Sequence, residues 1–323
     1  MPAQSSVLPF ISADEVDAVL DFPGLVDALQ SAHKEQALIS DSLILELGSR
    51  TKTANSFLSL PAWAPGKALG AKLATVFPNN PAVHEGVPAV HAIYPIFSGE
   101  TGEPLAIIDG TQLTYWKTAA DSALGSKLLA RKTVKQIAML GAGDLAPWLV
   151  RAHVAIHPGT EQVIVWNRTI QKASAVAAKL TMGGINAEVS ENIEDAVRNA
   201  DIVCAATAAT RPFLKGAWLK PGVHVDLVGS FTPEMRESDD DTVRGARVFM
   251  DAGIHALETG DLKEPIKAGI LEPSDIPDLY ALCGGAAEGR QSDQDITLFK
   301  NGGGAHLDLM TAMYILHMRN KCE

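Results

Sequence analysis

Residues 141–146 read Gly-Ala-Gly-Asp-Leu-Ala, a G-x-G-x-x-A turn between the apolar run Ile137–Leu140 and a helix-like stretch reaching about His157. Each position has its own physical reason. Gly141 permits the tight turn, Gly143 lets backbone approach a pyrophosphate, and Ala146 is small enough for helix to pack on strand. The helix start adds unpaired N–H groups and a positive dipole end, so Asp144 and Leu145 join the expected phosphate contacts. Alone, the pattern is also just a tight strand–helix connection, so its surroundings matter.

Those surroundings alternate. Strand-like runs at Gln162–Trp166, Ala187–Val189, Ile202–Ala206, Val223–Val228 and Arg247–Met250 are interleaved with helical stretches at 170–181 and Ile193–Ala200. Alternation of this kind predicts a parallel sheet covered by helices, here a Rossmann dinucleotide-binding domain over 121–304. Thr207 and Gly229 follow two of these strands and join the expected cofactor contacts.

The flanks read differently. Residues 12–39 carry helix-spaced apolar residues from Val16 to Leu38, with Ser12 or Asp14 as cap and Pro23-Gly24 as an interruption. Leu43–Leu47, Ala54–Leu60, Ala68–Phe77, Val90–Ser98 and Pro104–Asp109 are strand-like and separated by Pro and Gly, which predicts a mainly antiparallel sheet. Residues 117–131 and 305–318 read as helices. The expected fold class is α/β: the Rossmann domain plus an N-terminal α+β substrate-binding and dimerisation domain over 1–120 and 305–323.

Composition excludes some functions. A net charge of -11 opposes general binding to nucleic acid or anionic membrane, which require a basic field. No run of about 20 apolar residues is present to span a bilayer. Cys204, Cys283 and Cys322 show no metal-ligand spacing, so no metal is expected. The N-terminus lacks a basic start and a long apolar run, so the expected location is cytoplasmic.

The end of the second Rossmann strand selects the cofactor. An NAD site carries Asp or Glu there for the ribose 2′-OH. Val165-Trp166-Asn167-Arg168-Thr169 carries no acid. Arg168 can fork onto a 2′-phosphate, with Asn167 and Thr169 adding hydrogen bonds, so NADPH is expected ahead of NADH. The alternative for Arg168 is a solvated surface charge.

With these features in place, the chain resembles the ornithine cyclodeaminase/mu-crystallin family. The likeness rests on Gly70-Ala71-Lys72, Phe77-Pro78-Asn79-Asn80, Gly99–Ala106, Lys117-Thr118-Ala119-Ala120, the glycine turn, Trp166–Thr169 and Ile296–Lys300. It implies a homodimer, a cofactor contact at Lys300, and a substrate carboxylate held by Arg50, Lys72 and Lys117. Lys72 also reads as an exposed edge lysine. In the family's cyclodeaminases an aspartate follows the fifth Rossmann strand; here Phe231 stands about there and can neither accept a proton nor hold an ammonium by charge.

Two departures refine the expectation. Lys117 replaces the family's usual arginine, and Gly302-Gly303-Gly304 puts a loop without side chains, led by Gly302 and Gly303, beside the expected substrate. Together they resemble the branch that reduces the cyclic ketimine Δ1-pyrroline-2-carboxylate to L-proline. Lys72, His91 and Asp308 are the catalytic candidates, His91 reading equally as an ordinary histidine. Alternatives are an ornithine cyclodeaminase releasing ammonia, an alanine dehydrogenase-like enzyme, and a non-catalytic NADP-binding protein.

Overall fold

A computed structural model of the chain describes residues 7–35, 37–39, 43–47 and 55–322. They fall into two compact units. The first comprises the described residues up to Ala28, from Glu35 to Lys117, and from Gly304 onward; the second comprises Leu29–Lys34 and Thr118–Gly303.

In chain order the first half contains β1 (Phe10–Ile11), α1 (Ala13–Val19), α2 (Phe22–Ala32), β2 (Leu38–Ile39), β3 (Leu43–Leu47), β4 (Asn55–Ala64), β5 (Ala68–Val76), α3 (Asn80–Val83), β6 (Val90–Ser98), β7 (Pro104–Asp109) and α4 (Gly110–Leu129). Ser12 and Glu15 form a reciprocal capping box that starts α1. The expected single helical stretch breaks earlier than Pro23. Asp21 accepts from the Gly24 N–H at 2.8 Å, and Pro23 lies in the first turn of α2, where its missing N–H is not needed. Leu38 is not helical but part of β2. Helix α4 begins earlier than 117, because Asp109 accepts from the Gln112 N–H at 2.7 Å and supplies a cap.

The first unit's sheet runs β1-β7-β6-β5-β4-β2, with β3 also on β4; β4 to β7 are antiparallel. Strand alternation gives it two faces. On the inner face Ala62, Ala68, Ala74, Tyr94, Ile96 and Ile108 are buried. The final helix, α12, packs on β4, β5 and β6.

The second unit continues with β8 (Gln136–Leu140), α5 (Ala146–Ile156), β9 (Gln162–Trp166), α6 (Ile170–Met182), β10 (Ala187–Val189), α7 (Ile193–Arg198), β11 (Ile202–Ala205), β12 (His224–Leu227), α8 (Asp240–Arg244), β13 (Arg247–Met250), α9 (Gly253–Glu258), α10 (Gly260–Lys267), α11 (Leu279–Gly284) and β14 (Thr297–Lys300); α12 is Ala305–Cys322. Its strands lie in the order β10-β9-β8-β11-β12-β14-β13, every neighbouring pair parallel. Ala138, Leu140, Val203, Val225, Leu227 and Leu298 are fully buried, as expected for a sheet covered on both faces. Strand order reverses between β8 and β11, the switch point at which doubly wound sheets bind ligands beyond the strands' carboxyl ends. No helix among the described residues is long and apolar enough to cross a membrane.

Candidate functional site

The glycine turn lies at that switch point. Gly141 has φ 125°, and a Cβ there would stand 2.4 Å from the Ala206 carbonyl oxygen, so both backbone shape and close packing demand glycine. Gly143 differs: it is exposed, and a Cβ there would meet nothing within 4 Å. The chain itself does not need glycine at this place, and the space fits an approaching pyrophosphate. Ala146 is buried at the start of α5, and no side chain caps that helix. The Ala146 and Trp148 N–H groups donate to the Gly143 and Leu145 carbonyls, each at 3.0 Å, and Pro147 has none, so an anion would be met by the turn that precedes the helix and by the helix's positive end. Asp144 is exposed and Leu145 half-buried. Past β9, the Asn167 amide donates to the Thr169 carbonyl at 2.9 Å, while Arg168 and Thr169 are exposed. This donor set fits a dinucleotide.

Other predicted contacts fare differently. Thr207 and Gly229 stand at the carboxyl ends of β11 and β12 and share one buried partner, Glu237, which sequence reading missed. Lys300 is not brought to the surface of this region. It is fully buried, and its Nζ donates to the Leu227 carbonyl at 3.0 Å, so it braces β12 from within. The glycine loop also has internal reasons. A Cβ on Gly302 would lie 2.8 Å from Ala256 backbone, Gly303 has φ 71°, and a Cβ on Gly304 would lie 2.5 Å from His306 Nδ1. The Gly303 N–H donates to the buried Asp251 carboxylate, so it is already engaged rather than open to a substrate. Phe231, in the segment after β12, is 70% exposed.

The first unit supplies a buried ion pair. Lys72, on the inner sheet face, lies 3.0 Å from Asp308 on α12; their side chains are 12% and 0% exposed. Tyr94 on β6 is wholly buried and its hydroxyl has no hydrogen-bond partner among the described residues. Burial and the Asp308 charge push the Tyr94 hydroxyl well above the usual phenol range. Gly70 admits this ring, since a Cβ there would lie 2.6 Å from Tyr94 Cε1. Tyr94 was legible only as a strand residue; its alternation with Lys72 across β5 and β6 was the missed signal. His91 pairs with Thr75 on the outer face and is exposed, so the sheet separates it from Lys72 and Asp308. Lys117 is buried in α4, and Arg50 lies outside the described residues.

Behind the dinucleotide turn, the fold gathers groups far apart in sequence. Asp226 accepts from Ser122 Oγ at 3.0 Å and Cys204 Sγ at 3.2 Å, and meets His153 Nε2 at 3.1 Å. Burial, with Asp226 beside it, pushes the Cys204 thiol well up. His153, Cys204 and Asp226 have metal-ligating types, yet hydrogen bonds already account for their polar atoms, His153 Nδ1 meeting Ser126 Oγ at 3.0 Å. A cavity of about 820 Å³ opens near Arg131, Lys135, Asp201 and Arg290. Two of its charges are internally engaged: Lys220 lies 2.8 Å from Asp201, and Arg290 Nε donates to the Leu129 carbonyl at 2.7 Å.

Comparison with known proteins places these features in context. The family model described as "Ornithine cyclodeaminase/mu-crystallin family" matches residues 12–321. A Δ1-pyrroline-2-carboxylate reductase of Paracoccus denitrificans is 42% identical over 98% of both chains. Protein SAR DEFICIENT 4 of Arabidopsis thaliana is 36% identical over 95% of this chain and 96% of that one. Among solved structures, Thermococcus litoralis Δ1-pyrroline-2-carboxylate reductase in complex with NADH and L-proline superimposes with a TM-score of 0.89, at 27% identity and 98% coverage of each chain.

Proposed function

The chain belongs to the ornithine cyclodeaminase/mu-crystallin family, and on that premise we propose that it reduces Δ1-pyrroline-2-carboxylate to L-proline with a reduced nicotinamide dinucleotide. The observation that carries this reading is the near full-length 42% identity to a reductase of that name, joined to an intact dinucleotide turn. When bound, the dinucleotide would supply a hydride to C2 of the imine, already protonated on its ring nitrogen, so that C=N becomes CH–NH. Residues of the chain bind and orient. An ammonium has three N–H donors, and the contact with Asp308 leaves Lys72 donors for a carboxylate. Asp308 holds that ammonium in place. Lys117 and Arg50 are proposed as further cations for the same carboxylate. No role is assigned to His91.

NADPH is the proposed preference, supported by exposed Arg168 and Thr169 and the absence of an acid at the end of β9. A homodimer is also proposed. The outer face of the first sheet leaves Leu43, Leu45, Phe57, Trp63, Ile93 and Leu105 exposed, a patch of the kind a second copy of the chain covers. Phe231 stands against the cyclodeaminase alternative, because a phenyl ring offers no base for amine release. The test is a spectrophotometric screen of NADPH and NADH oxidation against five- and six-membered cyclic imino acids, and pyruvate with ammonia or methylamine. Fastest turnover with the five-membered imine supports the reading; turnover only with pyruvate and ammonia contradicts it.

A further inference from the structure

The loops after β11 and β12 are fastened together by a single carboxylate. Glu237 is fully buried. One of its oxygens, Oε1, accepts from the Thr207 N–H at 2.7 Å and the Thr207 hydroxyl at 2.8 Å. The other, Oε2, accepts from the Gly229 N–H at 2.8 Å. The fit is close: a Cβ on Gly229 would stand 2.2 Å from both the N and O of Thr207 and 2.5 Å from Glu237 Oε1. Glu237 is itself held from behind. Asp261 accepts from the Glu237 N–H at 2.9 Å and the Ser238 N–H at 3.0 Å, and the Glu237 carbonyl accepts from Phe213 and Leu214, each at 3.0 Å.

This clamp has a definite place relative to the ligand. In a doubly wound fold the dinucleotide crosses the switch point, with its two halves over the two halves of the sheet. Gly143 and Arg168 mark the phosphate and adenosine side, on β8 and β9. The nicotinamide half therefore lies toward β11 and β12, whose ends carry Thr207 and Gly229. Resting on the reading that the chain binds a nicotinamide dinucleotide, we propose that Glu237 is a positioning residue for the nicotinamide half of the cofactor. It sets the spacing of the two loops that receive that half and acts through Thr207 and Gly229 rather than by touching the cofactor.

A buried carboxylate beside a second one is costly to keep, which argues that it has a task beyond packing. Burial, with the Asp261 carboxylate beside it, pushes the Glu237 carboxyl up to about 7, while the nearby Lys300 charge draws it down. Replacing Glu237 by Gln preserves shape but puts an amide donor against an N–H donor, so one of the two loops loses its anchor.

The test compares NADH with ADP-ribose, which has the pyrophosphate and both riboses but no nicotinamide. Calorimetric titration of wild type and E237Q should show the Kd for NADH raised about tenfold or more, the loss expected for a hydrogen bond to a charged group. The Kd for ADP-ribose should change by less than about threefold, against which the tenfold loss is read. T207V removes the hydroxyl that Glu237 accepts from and should show a smaller loss of the same selectivity, while T207S should remain near wild type. The double variant E237Q/T207V should lose no more than E237Q alone, because the two act as one unit. Equal weakening of both ligands, or additive losses, would overturn the role of Glu237. If E237Q does not fold, T207V against T207S decides in the same way. A wild-type protein that binds none of NADPH, NADH and ADP-ribose would instead overturn the dinucleotide reading itself, and this inference with it.

Discussion

Arg168 is a single exposed side chain, and it bears on the choice between two dinucleotides. A guanidinium forks onto a 2′-phosphate, whereas a carboxylate at the same place repels it and accepts from a ribose hydroxyl. Exchanging Arg168 for Asp should therefore turn a preference for NADPH into one for NADH, read as the ratio of the two kcat/KM values. A wild-type enzyme that already favours NADH contradicts the assignment. Lys72 bears in the same way on the substrate. It is the partly exposed member of an ion pair whose other member is fully buried. Lys72→Ala should lower kcat/KM for the imine by roughly 30-fold or more, the usual cost of losing one charged partner at a desolvated site. The Kd for NADPH should stay within about threefold of wild type, the difference between them marking a substrate anchor. Near-normal imine turnover would remove Lys72 from that role.

Elements were legible where local pattern and tertiary demand agreed. The strands at Gln162–Trp166, Ala187–Val189, Val90–Ser98 and Pro104–Asp109 could be read to the residue, because apolar runs end there at turn formers. Strand β14 was visible as a motif but not as the strand inserted between β12 and β13, since pairing partners are chosen by the whole sheet. The short helices α9, α10 and α11 hold too few turns to show a period. The site follows the same rule. The glycine turn announces itself through backbone demands, whereas Glu237 and Asp226 gain their meaning from partners distant in sequence. Helix α5 gives a test at this scale. His157 ends it and meets Ser126 Oγ of α4 at 3.0 Å. Burial, then the neighbouring His153, pushes His157 down to about 4. The unfolded chain thus takes up this proton more readily than the native one. The associated stability is complete above the ordinary value of 6.5 and is lost as pH falls from there through about 4. His157→Gln cannot titrate, so urea unfolding should show wild type losing ground to the variant between about pH 7.5 and about pH 5. An unchanged gap at both pH values would contradict it.

At the scale of the whole molecule, two units divide the work: one carries the dinucleotide turn, the other the Lys72–Asp308 pair and an apolar outer sheet face. If that face joins two copies, Leu45→Asp, a change on an exposed strand residue, should shift the protein toward monomer in sedimentation velocity while leaving NADPH binding intact. A wild-type monomer at micromolar concentration contradicts the dimer. Product analysis decides whether the proposed reaction takes place. Purified protein is incubated with NADPH and Δ1-pyrroline-2-carboxylate, and separately with ornithine, and both mixtures are resolved by chiral chromatography with ammonia measured in parallel. L-proline is expected from the imine, with one NADPH consumed for each proline formed, and neither proline nor ammonia is expected from ornithine. Proline and ammonia from ornithine, with NADPH untouched by the imine, would contradict the proposed reaction.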